Sequence, residues 1–300
     1  MNVDPSSTSC LMPGSHMVKK TWMSGQVIAG RYRLGNLLRK GGMGSVWRAE
    51  HVSLNSPVAL KGIHASELDD EGIKRFLREA QAAAMLRSPH VVQILDHGID
   101  DGVPYIAMEL LDGETLWQRM EKARFLSLAQ TARIVTHVAR AMQKAHDAGI
   151  IHRDIKPENI FLVKDDEEEI AKVLDFGVAK LAPHLAERSP KVKTTTGAIL
   201  GTPYYMSPEQ ICGTGLDHRT DLWSLAIVAF ECACGRLPVE GTNVADLLIR
   251  ICNTPMPVPS DVGPVDKRFD GWFAKATHRD VAQRFQSARE MADALRTIVP

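Results

Sequence analysis

The spacing of apolar and polar positions changes character partway along the 300-residue chain. Between Arg31 and about Ile106, short alternating runs dominate. Val58-Ala59-Leu60-Lys61 puts Val58 and Leu60 on one face of a strand and Ala59 and Lys61 on the other. One helical stretch interrupts, roughly Gly72 to Leu86. There Ile73, Phe76, Leu77, Ala80 and Ala84 recur at helical intervals, Glu79 sits at the edge of the apolar face, and Ser88-Pro89 ends the helix. Val91–Leu95 and Pro104–Leu110 then read as strands.

From Leu116 onward the pattern turns helical. Leu128 to Ala148 carries Ile134, Val135, Val138, Ala141, Met142 and Ala145 at helical spacing, and Gly149 closes it. Two short apolar runs, Asn159–Val163 and Ile170–Leu174, flank Asp165-Asp166-Glu167-Glu168-Glu169, which reads as a solvated hairpin turn. Residues 183–203 read as an irregular polar loop. Leu222 to Cys234 reads as a buried helix, too short to span a bilayer and interrupted by Ser224 and Glu231. Residues 1–24 are polar, with Pro5, Pro13 and Gly14, and read as a disordered tail without the apolar core of a secretory signal. The pattern predicts an α+β fold of two lobes. Residues 25–109 form a small β-rich lobe with one helix, residues 110–300 a larger, mainly helical lobe, and the join falls near Glu109–Gly113.

Composition narrows the partners. Lys plus Arg and Asp plus Glu number 36 each, so the formal net charge is zero, which argues against a general nucleic-acid or membrane-surface binder. Trp47, Trp117, Trp223 and Trp272 are scattered, as for core packing rather than a base-stacking platform. The five cysteines make no CxxC pair, so neither a disulfide framework nor a zinc site is expected, and a reducing cytoplasm suits them. Cys232 and Cys234 read as small core hydrophobes.

The chemistry concentrates in two loops. His152-Arg153-Asp154-Ile155-Lys156-Pro157-Glu158-Asn159 is followed, 16 residues after Asn159, by Asp175-Phe176-Gly177. Seven specified residues at fixed offsets, each at ~5% usage, arise by chance in such a chain with a probability on the order of 10⁻⁷. Together the two loops offer a carboxylate that can accept a proton, hard oxygens that can ligate a divalent ion, and a cation nearby. Asp154, Asn159 with Asp175, and Lys156 are of those types.

At these residues the chain resembles the protein kinase family, and Gly-Gly-Met-Gly and Ser-Pro-Glu-Gln are closest to bacterial, eukaryotic-like serine/threonine kinases. The resemblance covers roughly residues 30 to 298 and implies a bilobal kinase fold with ATP and Mg2+ (or Mn2+) in the cleft. It implies Asp154 as the proton acceptor, Lys156 as the cation beside the transferred group, and Asn159 and Asp175 as metal ligands. Lys61 would bind phosphates and pair with Glu79. Gly41, Gly44, Val46, Ala59, Met108, Glu109 and Leu111 would surround the nucleotide, with Ala59 small enough to leave room for adenine.

The family's G-x-G-x-x-G pattern needs glycine at positions 39, 41 and 44, and Arg39 departs from it. Gly201-Thr202-Pro203-Tyr204-Tyr205-Met206-Ser207-Pro208-Glu209 resembles the peptide-docking segment, with Ser207 in place of Ala. By the same resemblance Arg284 pairs with Glu209, and Asp221 braces the catalytic loop. Thr194 and Thr196 are candidate phosphorylation sites, with Arg153 and Lys180 as phosphate receivers. His278-Arg279-Asp280 lacks the following Lys and Asn and reads as a surface turn. The expected partners are protein substrates bearing Ser or Thr, with a homodimer as one arrangement such relatives adopt. Two alternatives are a nucleotide-binding scaffold without turnover, and a small-molecule kinase, which the docking segment argues against.

Overall fold

The computed structural model describes residues 22–41, 44–63, 70–165, 168–175 and 203–299. The small lobe is one antiparallel sheet of order β1-β2-β3-β4-β6-β5. Its strands are β1 (Val27–Ile28), β2 (Tyr32–Gly41), β3 (Gly44–His51), β4 (Ser56–Ile63), β5 (Ile94–Asp100) and β6 (Val103–Glu109), with helix α1 (Asp70–Ala84) between β4 and β5. The alternation along β4 works as the sequence predicts. Val58 and Leu60 enter an outer core with Ile28, Tyr32, Leu34, Trp47 and Tyr105. Ala59 and Ile63 enter an inner core with Phe76 and Ala80 of α1, Ile106 and Met108.

Trp22 belongs to the outer core and is buried, although the sequence pattern places it in the polar tail. Its ring lies against Gly62, where an added Cβ would meet it at 2.6 Å. Small-lobe packing therefore begins at least as early as residue 22. Residues 1–21 lie outside the described residues.

A second sheet, β7-β8-β9, is built from β7 (Gly113–Thr115), β8 (Ile160–Asp165) and β9 (Glu168–Val173). The predicted strand at 91–95 is displaced, since β5 starts at Ile94. Val91 instead bridges Val173, and Val92 N–H donates to the Val173 carbonyl at 3.0 Å. This apolar pair joins the lobes rather than extending the upper sheet. Glu169 is also not part of a solvated turn. Arg119 Nη2 donates to its carboxylate at 2.6 Å, because the β8–β9 register brings Glu169 back to the helical segment Leu116–Lys122 that precedes this hairpin.

The large lobe contains α2 (Leu116–Lys122), α3 (Leu128–Asp147), α4 (Pro208–Cys212), α5 (Arg219–Cys234), α6 (Val244–Asn253), α7 (Pro259–Val262), α8 (Arg268–Ala276) and α9 (Ala288–Ile298). Three of these start with the same device. Thr115 with Gln118, Ser127 with Gln130 and Ser207 with Gln210 form capping boxes, in which each side chain satisfies the other's backbone N–H. The α5 segment Leu222–Cys234 is buried at every position except Glu231, and it packs with α3, α8 and α9 around one core. Trp47, Trp223 and Trp272 are buried, whereas Trp117 is 44% exposed, on the solvent side of α2. Among the described residues, no helix is long and apolar enough to cross a membrane.

Candidate active site

The underside of the small-lobe sheet supplies one wall of a cleft. In register, Val46 faces Lys61 across β3 and β4, and Ala59 faces Met108 across β4 and β6. Leu111 and Leu174 pack against the same inner cluster. Val46, Ala59, Met108 and Leu111 come from three strands and the connection after β6, and the fold gathers them into one apolar surface beside the Lys61 amine. Gly44 is held by close approach. A Cβ there would lie 2.1 Å from the Gly62 carbonyl oxygen, inside any real contact distance. Glu109 is fixed from the large-lobe side. Its Oε1 accepts from Lys172 Nζ at 2.7 Å and from Gln93 N–H at 2.8 Å.

The facing wall is the loop 152–159, shaped from three directions. Asp221, fully buried at the start of α5, accepts from His152 N–H at 2.9 Å and Arg153 N–H at 2.8 Å. His146 Nε2 of α3 lies 2.8 Å from the same carboxylate. Gln210 of α4 donates to the Arg153 carbonyl at 3.1 Å. His152 Nδ1 accepts from Asp154 N–H, so its Nε2 carries the proton given to the Leu174 carbonyl at 2.9 Å.

Within this loop Asp154 is flanked on both sides. Lys156 Nζ is 3.1 Å from Asp154 Oδ2, and Asn159 Nδ2 donates to that oxygen at 3.0 Å and to the Asp154 carbonyl at 2.9 Å. With its amide N–H groups so engaged, Asn159 has Oδ1 as the atom suited to a cation.

Asp175 follows β9 with a left-handed backbone, φ +50°. Its Oδ1 is 2.8 Å from Lys61 Nζ. Burial alone would raise this carboxyl; the Lys61 ammonium outweighs it and, with smaller contributions from His152 and Arg39, holds the group below the usual carboxylate range. Glu79, the partner that the resemblance implies for Lys61, is half-buried on α1.

This donor set fits a nucleotide with a divalent ion. The apolar surface suits a base and Lys61 an anionic phosphate. Among the described residues, no three His, Cys, Asp or Glu side chains converge as a metal cage. Asn159 and Asp175 supply two hard oxygens, which matches an ion that takes its remaining ligands from phosphates and water.

Several other expected residues are placed. Arg284 donates to both carboxylate oxygens of Glu209 at 2.7 and 2.8 Å, in a buried pair. Ser207 caps α4, and its hydroxyl is 2.6 Å from that of Thr220. Cys232 and Cys234 are buried. Arg279 gives its guanidinium to the Cys252, Ile251 and Thr254 carbonyls at the end of α6, a structural role in keeping with a turn. Phe176, Gly177, Lys180, Thr194 and Thr196 lie outside the described residues, as do Gly42 and Met43. A surface cavity of about 390 Å3 beside α3, lined in part by Arg133, Arg140 and Arg296, holds none of these groups.

Arg39 is the residue whose position the motif reading leaves open. It faces Val46 in register at the cleft rim, and its Nη1 donates to the Glu158 carbonyl on the opposite lobe at 3.4 Å. The departure from the glycine pattern was the signal available beforehand.

A two-lobed molecule with a lysine–aspartate pair under the paired strands β2 and β3, facing a loop that presents Asp, Lys and Asn together, has the architecture of a protein kinase domain. The chain belongs to the protein kinase family: the family model described as "Protein kinase domain" matches residues 32–290. The serine/threonine-protein kinase pkn3 of Myxococcus xanthus is 36% identical over 280 residues, covering 91% of this chain and 51% of that protein. The serine/threonine-protein kinase PknD of Mycobacterium tuberculosis is 36% identical over 275 residues, covering 89% of this chain and 40% of that protein. The crystal structure of the Mycobacterium tuberculosis PknI kinase domain matches with a TM-score of 0.73 at 31% identity, over 93% of this chain and 99% of that one. The chain spans about half or less of the length of the curated relatives it matches.

Proposed function

We propose that this chain transfers the γ-phosphoryl group of ATP to Ser or Thr hydroxyls of proteins, with a small lobe reaching from Trp22 to Glu109 and a large lobe from residue 110 onward as the two lobes that close on the nucleotide. The observation that carries this reading is the convergence of the Lys61–Asp175 pair with the Asp154, Lys156 and Asn159 cluster. When bound, Mg-ATP supplies the transferable phosphoryl group. Asp154, held by Lys156 and Asn159, accepts the proton of the incoming hydroxyl. Lys156 keeps a positive charge beside that reaction centre. Asn159 Oδ1 and Asp175 would hold the divalent ion, and Lys61, which fixes Asp175 at 2.8 Å, would bind phosphate oxygens. Val46, Ala59, Met108 and Leu111 would exclude water around the base.

We further propose Thr194 or Thr196 as an autophosphorylation site read by Arg153. Among the described residues, Arg153 Nε is buried without a hydrogen-bond partner, which suits a guanidinium that receives a phosphate. The four described cysteines are free thiols, a state that a reducing compartment suits. Incubation with Mg-ATP and a mixture of proteins, followed by mass spectrometry, tests the reading. Phosphoserine or phosphothreonine supports it; phosphate appearing only on small molecules contradicts it.

A further inference from the structure

The cations of the cleft are unequally engaged. Lys61 is held by Asp175 at 2.8 Å and Lys156 by Asp154 at 3.1 Å. Arg39 forms no ion pair among the described residues. Its described polar contact is the Glu158 carbonyl, a neutral acceptor at 3.4 Å, near the limit of a hydrogen bond. The side chain is exposed, so this contact contributes little to stability. Yet its placement is specific. Arg39 is two residues before Gly41, which closes on Gly44 in register. It leaves the sheet opposite Val46, at the edge of the apolar surface, and reaches the residue adjoining Asn159. A guanidinium so placed stands at the rim of the cleft, beside the residue that adjoins Asn159.

We propose that Arg39 is a phosphate-binding residue of this chain, whose guanidinium leaves the Glu158 carbonyl for the phosphate chain of a bound nucleoside polyphosphate. This rests on the reading of the cleft as an ATP site. A glycine at position 39 would bring only its backbone near a phosphate. An arginine brings a fork of N–H donors that matches phosphate oxygens two at a time. The weak, neutral contact in this structure is readily exchanged for that charge-assisted one.

The test is equilibrium binding of Mg-ATP and of adenosine to the full chain by titration calorimetry, with wild type, Arg39→Gly and Arg39→Lys. Arg39→Gly is expected to weaken Mg-ATP binding about tenfold, one charge-assisted contact, and to leave adenosine binding within about twofold. Arg39→Lys is expected to recover part of the loss. Unchanged or tighter Mg-ATP binding by Arg39→Gly overturns the proposal. Equal weakening of Mg-ATP and adenosine also overturns it, because that pattern marks a latch between the lobes. Failure of wild type to bind Mg-ATP at all overturns the nucleotide reading itself and this proposal with it.

Discussion

Asp221 holds Arg153 in a left-handed backbone conformation. Arg153 has φ +62°, uncommon for a residue with a side chain, and its N–H donates at 2.8 Å to the fully buried Asp221 carboxylate. The same carboxylate takes the His152 N–H. The peptide that presents Asp154 to the cleft is therefore shaped by a residue 67 positions later in the sequence, at the first turn of the most buried helix.

Replacing Asp221 by Ala removes both acceptors and leaves two buried N–H groups unpaired. The expected cost is about 3 kcal/mol or more, as each hydrogen bond to a charged group contributes ~1.5–3 kcal/mol. Relaxation of Arg153 would also misplace Asp154. Chemical denaturation should show the lost stability, and phosphotransfer should fall by about 100-fold or more, the scale set by misplacing a general base. A variant with normal activity would show that the loop holds its own shape.

The Glu209–Arg284 pair predicts a pH dependence. Burial alone would raise the Glu209 carboxyl, but Arg284 outweighs it and holds the group below its ordinary 4.5. A carboxylate depressed in the folded state contributes stability that is present above pH 4.5 and is lost as pH falls through the lower folded value. Urea midpoints measured from pH 6 down should decline through that window in wild type, and the decline should flatten in Glu209→Gln. Arg284→Ala at neutral pH should cost about 3–5 kcal/mol, since it strands a buried carboxylate.

Cysteine labelling reports the burial of α5. Cys212 is exposed, whereas Cys232 and Cys234 are buried, and burial pushes the Cys234 thiol up to about 11. Mild alkylation of the native chain, mapped by mass spectrometry, should modify Cys212 and spare Cys232 and Cys234 until the large lobe unfolds. Early modification of Cys232 would contradict the packing of this helix.

Trp22 anchors the start of the small lobe. Its ring fills the space over Gly62, so Trp22→Ala should cost about 3–5 kcal/mol through the cavity it leaves. A change within ~0.5 kcal/mol, typical of surface sites, would return the residue to the tail.

The parts of this fold legible beforehand were those where chemistry or a local period dictates residue type. Asp154, Lys156, Asn159 and Asp175 stand in short loops whose spacing alone announces them, and the structure brings all four to one cleft. The alternation at Val58–Lys61 foretold which side chains enter each core. The parts not legible depend on long-range placement. Val91 and Val92 look like strand residues, but their backbone partner is Val173, in another sheet. Glu169 looks like solvent-facing charge until the β8–β9 register sets it against Arg119. Arg39 appears only as a broken motif, since its reach to Glu158 depends on how the lobes face each other. Trp22 was lost in its polar surroundings, as one aromatic residue carries no period.

The central claim is that Asp154 serves phosphoryl transfer from ATP. The most direct measurement is incorporation of phosphate from γ-labelled Mg-ATP into protein by wild type and by Asp154→Asn. The account predicts phosphoserine or phosphothreonine with wild type and a loss of about 10²–10⁴-fold in the variant, with Mg-ATP binding retained. Equal incorporation by both proteins, or none by wild type despite bound nucleotide, would contradict it.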